Sequence, residues 1–154
     1  MTDKFLCDEM LAGLGRWLRV AGYDTEIVTE TILDRDVLML AKKEKRLLLT
    51  RDREFLEMSD AKGVVIYLSV NTIEECAHQL STLVKINWLY RPFSRCLVCN
   101  SLLEKAPENK ILEQVPEDIR RQSKLCQYCS RCDKVYWMGS HTKRMLKKLQ
   151  TWKG

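Results

Sequence analysis

The first ninety residues alternate between short apolar runs and longer stretches in which apolar side chains recur every three or four positions. Phe5-Leu6-Cys7 reads as a buried strand. The segment from about Met10 to Ala21 reads as an amphipathic helix with Leu11, Leu14, Leu18 and Ala21 on one face, closed by Gly22. The alternation continues through a strand at 26–29, a helix at 36–45, a strand at 46–50, a short helix at 54–58, a strand at 64–68 and a helix at 73–86. Strands rich in leucine and β-branched residues, each followed by a helix, predict an α/β fold with a parallel sheet covered by helices.

Near Tyr90-Arg91-Pro92 this rhythm stops. Cysteine pairs, Pro107 and Pro116 follow, with few helical runs before Lys143. A boundary is therefore expected near residue 91, separating an α/β domain at 1–90 from a smaller module at 91–154. No apolar run approaches the roughly 20 residues that span a bilayer, and Met1-Thr2-Asp3-Lys4 does not open a signal peptide. The expectation is a cytoplasmic or nuclear protein with no membrane partner, whose thiols stay reduced.

The formal net charge of +5 is unevenly spread: residues 1–90 carry 12 basic and 15 acidic side chains, residues 91–154 carry 14 and 6, giving −3 and +8. Four zinc-bound thiolates would lower the second figure by about 2 and leave it clearly basic. The stretch 141–154 has five basic residues and no acid, with Met145, Leu146 and Leu149 at helical spacing.

In an open parallel sheet, ligands lie beyond the carboxyl ends of the strands. Three acids are expected there: Asp8 after the first strand, Asp34 entering the helix after the second, and Asp52 after the third. Helix N-capping would explain any one alone. Together on one edge they repel each other unless a cation neutralises them, and hard carboxylate oxygens suit Mg²⁺ or Mn²⁺. Such ions serve phosphodiester hydrolysis without a protein nucleophile, and with His78 and His141 the only histidines no Ser-His-Asp set is in view. Asp36, two residues into the same helix as Asp34, faces the site or favours the helix dipole. Glu9 and Glu54 adjoin the candidate acids as outer ligands or as solvated first-turn acids.

Cys96-Leu-Val-Cys99 and a second Cys-x-x-Cys about thirty residues later have the spacing of a four-thiolate zinc ribbon. Cys126, Cys129 and Cys132 leave the second pair in two registers. A knuckle favours a residue tolerant of left-handed backbone just after its second cysteine; Asn100 and Asp133 fit and Ser130 fits less well, which favours Cys96, Cys99, Cys129 and Cys132, with Cys126 as the spare and His141 as an alternative to one thiolate. Four thiolates leave no open position for water, so this zinc is structural.

The run Leu47-Leu48-Leu49-Thr50-Arg51-Asp52-Arg53-Glu54-Phe55, with Asp34 and Ala41 upstream, resembles the signature of PIN-domain nucleases, in which one Asp opens a helix and Thr-x-Asp ends the next strand. Over a longer span, Phe5-Leu6-Cys7-Asp8-Glu9-Met10-Leu11, Gly13-Leu14-Gly15-Arg16-Trp17-Leu18-Arg19 and Gly22-Tyr23-Asp24 are similar to the Mut-seven C-terminal ribonuclease family. So is the ending Cys132-Asp133-Lys134-Val135-Tyr136-Trp137 with Gly139-Ser140-His141. That family is PIN-like with a C-terminal zinc ribbon, and the resemblance runs from Lys4 to about Lys148. It implies a metal-dependent ribonuclease acting on RNA, for which the acids at the strand ends, Asp8, Asp34 and Asp52, are the catalytic candidates, together with Asp36 where it faces the site. For the further acid that PIN nucleases place between the first and later ones, Glu30 is the nearby candidate.

Arg16 and Arg19, three apart on the first helix, can face one way and contact phosphate or pair with the acids. Arg51, Lys134, Lys143 and Arg144 are further candidate RNA contacts, and Trp137 and Tyr136 either stack on bases or fill the ribbon's thin core. Two other functions compete: a non-enzymatic RNA-binding adaptor whose acids only cap helices, and a phosphoacceptor receiver, which would require a Lys at the end of a fifth strand.

Overall fold

The computed structural model describes residues 2–29, 32–122 and 125–153. Strands β1 (Phe5–Cys7), β2 (Thr25–Ile27), β3 (Leu47–Thr50) and β4 (Val65–Tyr67) form a parallel sheet in the order β2-β1-β3-β4. Helices α1 (Ala12–Ala21), α2 (Asp34–Glu44) and α3 (Ile73–Leu83) flank it. This is the α/β architecture that the strand and helix rhythm predicts. Phe5, Cys7 and Leu49 bury with α1 and α3, whereas Leu6 and Leu48 bury with Val37, Leu38 and Ala41 of α2 and with Phe55. Burial on both sides explains why these strands are continuously apolar rather than alternating.

Local chemistry sets the ends. Residues 9–11 and 53–57 form 3₁₀ turns rather than α-helix, the first preceding α1 and the second replacing the short helix expected at 54–58. α2 begins at Asp34, two residues before the expected start. α1 stops at Gly22, whose φ of 101° suits glycine, and a Cβ there would lie 2.4 Å from the Arg91 carbonyl oxygen. The amides of Arg91 and Phe93 in turn donate to Ala21 and Val20 at 2.9 and 2.8 Å, so the second half starts against the end of α1.

That half contains an antiparallel sheet of β5 (Glu104–Lys105), β6 (Cys126–Cys129) and β7 (Lys134–Trp137), with helices α4 (Glu108–Gln114) and α5 (Glu117–Arg120). Ala106, Val115, Cys126, Tyr128 and Val135 form its small core. The last helix, α6 (Ser140–Trp152), leaves this module and packs on the α/β unit. Leu149 is fully buried in the same core as Trp88, and Trp152 meets Trp17 and Trp88 edge-on at centroid distances of 5.1 and 5.0 Å. Burying each such large apolar side chain contributes roughly 1.5–3 kcal/mol. The expected division near residue 91 is therefore not a division in packing, because the apolar stripe of α6 completes the first core. Among the described residues no helix is long and apolar enough to cross a membrane.

Candidate functional site

The chain passes from β1 to β2 on one side of the sheet and then crosses to β3 on the other, so the strand order reverses between β1 and β3. A crevice opens beyond the carboxyl ends of strands at such a point. Asp8 directly follows β1 and Asp52 lies two residues beyond β3, on either side of it. Thr50, fully buried at the end of β3, links them: its hydroxyl donates to Asp8 Oδ2, and its oxygen accepts from the Asp52 amide at 3.0 Å.

Asp8 and Asp52 do cap the turns that follow, through Oδ1 to the amides of Leu11 (3.2 Å) and Glu54 (2.9 Å). Capping and ligation are compatible here, because a carboxylate has two oxygens and about four acceptor positions. Asp34 is not a cap; Leu33 takes that place and Asp34 opens the first turn of α2. Its carboxylate gathers with those of Asp52 and Glu54, with ligand oxygens within 4.8 Å of one another. Asp8 is outside that closest group, yet its charge and that of Asp52 reach Asp34: partial burial first, then these two neighbours, raise the Asp34 carboxyl above its ordinary value. The structure thus gathers Asp34 and Asp52 with Glu54, the exposed outer acid expected beside them, and leaves Asp8 close enough for its charge to reach Asp34. Asp36 is exposed and lies outside the cluster, Glu9 is likewise exposed, and Glu30 falls outside the described residues.

An acid whose value is raised on folding costs stability when charged, and the cost fades as pH falls through the raised value. In magnesium- and manganese-free protein at neutral pH, Asp34→Asn is therefore expected to raise the melting temperature slightly, by about 1–2 °C after solvent screening. Below about pH 3, where Asp is protonated in both states, the gain should vanish. A melt in which Asp34→Asn lowers the midpoint at neutral pH contradicts the repulsion.

The four expected cysteines also converge. Cys96, Cys99, Cys129 and Cys132 place their sulfurs within 4.8 Å of one another, with Cys96 to Cys132 at 3.8 Å and Cys99 to Cys129 at 3.4 Å. Sulfurs at about 2.3 Å from a tetrahedral zinc lie roughly 3.8 Å apart, so this donor set fits zinc. Asn100 and Asp133, the residues after the two knuckles, have φ of 74° and 53°, the left-handed backbone their identities predict. Burial raises the Cys99 thiol, but hydrogen bonds led by the Ser101 hydroxyl outweigh it and bring the thiol down to about 6. Cys132, facing Cys99, is pushed up to about 12. Cys126 packs instead in the ribbon core, and burial pushes Cys7 and Cys76 up within the α/β unit.

The candidate RNA contacts divide. Arg16, Lys134, Lys143 and Arg144 are exposed. Arg51 is half-buried and donates to Asn71 Oδ1. Arg19 turns inward, 5 % exposed, so the two helix arginines do not face one way and Arg19 is not a surface contact. Tyr136 is committed to the cysteines: its oxygen accepts from the Leu97 amide at 3.1 Å and its hydroxyl lies 3.2 Å from Cys96 Sγ. Trp137 is half-buried against the ribbon core. Thr50 is the residue whose part the acids alone do not reveal; its signal is the Thr-x-Asp spacing.

A family model described as Mut7-C RNAse domain matches residues 3–149. An exonuclease mut-7 homolog of Homo sapiens is 30 % identical over 101 residues, covering 63 % of this chain and 12 % of that relative. This chain thus matches about an eighth of the relative's length. No solved structure matches.

Proposed function

The chain belongs to the Mut7-C RNAse domain family, and from that premise we propose that it is a metal-dependent ribonuclease whose acids Asp8, Asp34 and Asp52 hold Mg²⁺ or Mn²⁺. The observation that carries this reading is the gathering of Asp34, Asp52 and Glu54 near Asp8 where the strand order reverses, with the Asp34 carboxyl raised by partial burial first and then by the charges of Asp52 and Asp8. Oxygen donors of this kind suit a hard divalent cation. When bound, such an ion generates the attacking water at neutral pH and stabilises the leaving oxygen of a phosphodiester. Thr50 holds Asp8 and the turn of Asp52 in register, which fixes two donors before any ion arrives. Glu54 supplies negative charge at the rim.

The cysteine cluster holds structural zinc, and the exposed basic residues Lys134, Lys143, Arg144 and Arg16 grip RNA together with the half-buried Arg51 and Trp137. Cytoplasmic or nuclear residence suits four reduced thiols. A receiver role is disfavoured because, among the described residues, the parallel sheet has four strands and so no fifth strand to carry a Lys.

Incubating the zinc-loaded chain with mixed single-stranded RNA, with Mg²⁺ or Mn²⁺ present or omitted, tests the proposal. Cleavage that requires the added ion is expected; RNA binding with no cleavage under any divalent ion would favour the adaptor reading instead. For the grip, Lys143→Ala, Arg144→Ala and Lys147→Ala combined should weaken binding and flatten its salt dependence, by about 0.7 in log-log slope for each lost phosphate contact. Lys148 is left out because it pairs with Glu74 at 2.6 Å and lies over the Trp17 ring. An unchanged salt slope would show that this face is only solvated.

A further inference from the structure

Two buried polar side chains sit where the first cysteine knuckle meets the α/β unit. Asn100, 5 % exposed, accepts from the Thr25 amide at 3.0 Å and donates through its amide nitrogen to Asp24 (2.7 Å) and Glu26 (3.2 Å). Arg19 donates through Nε to the Thr25 carbonyl at 2.8 Å, and through Nη1 to the carbonyls of Leu97 (3.0 Å) and Val98 (3.2 Å), the two residues inside the Cys96–Cys99 turn. Asp24 also holds Arg46 at 2.8 Å, and that guanidinium donates to the Phe5 carbonyl at 3.3 Å. Bonds therefore run from the knuckle to α1 and β2, and on to β1, the strand that leads to Asp8.

β2 is an edge strand, and Asn100 gives one of its amides the partner that a neighbouring strand would otherwise supply. Arg19 carries a positive charge into a site where knuckle carbonyls take up part of its donor capacity. Both arrangements depend on the tight turn that ligation imposes on residues 96–100. Without metal a ribbon this small buries too little apolar surface to hold that turn, and a buried guanidinium that loses its acceptors is costly.

Granting the zinc reading of the cysteine cluster, on which this rests, we infer that the first knuckle is a zinc-dependent brace of the α/β unit, acting through Arg19 and Asn100. Zinc loss loosens α1 and β2 although neither contains a cysteine. The ribbon is thereby part of the framework behind the acids as well as a surface for RNA.

Hydrogen exchange of the full chain, zinc-loaded and chelated, tests this. Chelation is expected to speed exchange in α1 and β2 by about tenfold or more, the scale of losing one or two net hydrogen bonds. Asn100→Gly keeps the left-handed backbone available and leaves all four cysteines. Metal analysis should find it still loaded, with β2 exchanging nearly as fast as in chelated wild type. Arg19→Lys, which keeps the charge but loses the fork, should do the same for α1. If wild-type α1 and β2 exchange equally with and without zinc, the brace is overturned while the zinc site stands. If the wild-type chain binds no zinc, both are overturned.

Discussion

Asp8→Asn, Asp34→Asn and Asp52→Asn are each expected to lower RNA cleavage by roughly two orders of magnitude or more, because an ion at such a site supplies several kcal/mol of transition-state stabilisation and each 1.4 kcal/mol is about tenfold. The fold should survive all three. Asn keeps an oxygen that can cap, so the turns after Asp8 and Asp52 retain an acceptor for Leu11 and Glu54. Circular dichroism and zinc content should match wild type, which separates lost chemistry from lost structure. Asp36→Asn, at an exposed position outside the cluster, should retain most activity. Wild-type cleavage in the Asp8, Asp34 and Asp52 variants would sink the assignment.

Cys129→Ser or Cys132→Ser should abolish stoichiometric zinc binding and unfold the ribbon from about residue 94 to 137. Apparent zinc-binding energies in such small modules are about 10–16 kcal/mol and are largely folding energy. The ribbon's own core of Ala106, Val115, Cys126, Tyr128 and Val135 is too small to compensate. α6 should stay docked through Leu149 and Trp152 because it packs on the other core, so its contribution to helical signal persists. Cys126→Ser should keep full zinc with a modest loss of stability, since that side chain packs away from the four clustered sulfurs. Full zinc in Cys132→Ser together with loss in Cys126→Ser would reverse the register.

Which features could be read from the sequence depended on how far apart in the chain their causes lie. β1 and β3 stand out as apolar runs because both faces are buried, and the turns at Asn100 and Asp133 follow from residue identity alone. The inward turn of Arg19 does not, since the carbonyls that hold it come from Leu97 and Val98, 78 and 79 residues later. Thr50 likewise acts through Asp8, 42 residues away, which requires knowing that β1 and β3 are neighbours. Pro107 and Pro116 read as interruptions, yet each immediately precedes a short helix, α4 or α5, where proline's fixed φ and missing amide do no harm. Met145 and Leu149 marked the helix α6, but nothing local told which core they would fill. Glu54 was legible as a neighbour of Asp52, and the structure places its carboxylate with those of Asp34 and Asp52.

If the gathered acids hold the ion on which RNA hydrolysis depends, bound ion and cleavage must rise and fall together. A manganese titration of the zinc-loaded chain, followed on the same samples by electron paramagnetic resonance for bound ion and by cleavage of labelled single-stranded RNA, tests it most directly. Bound manganese and cleavage should rise together in wild type, and both should be lost in Asp52→Asn. Cleavage at full rate with manganese omitted, or manganese binding that Asp52→Asn leaves unchanged, would contradict it.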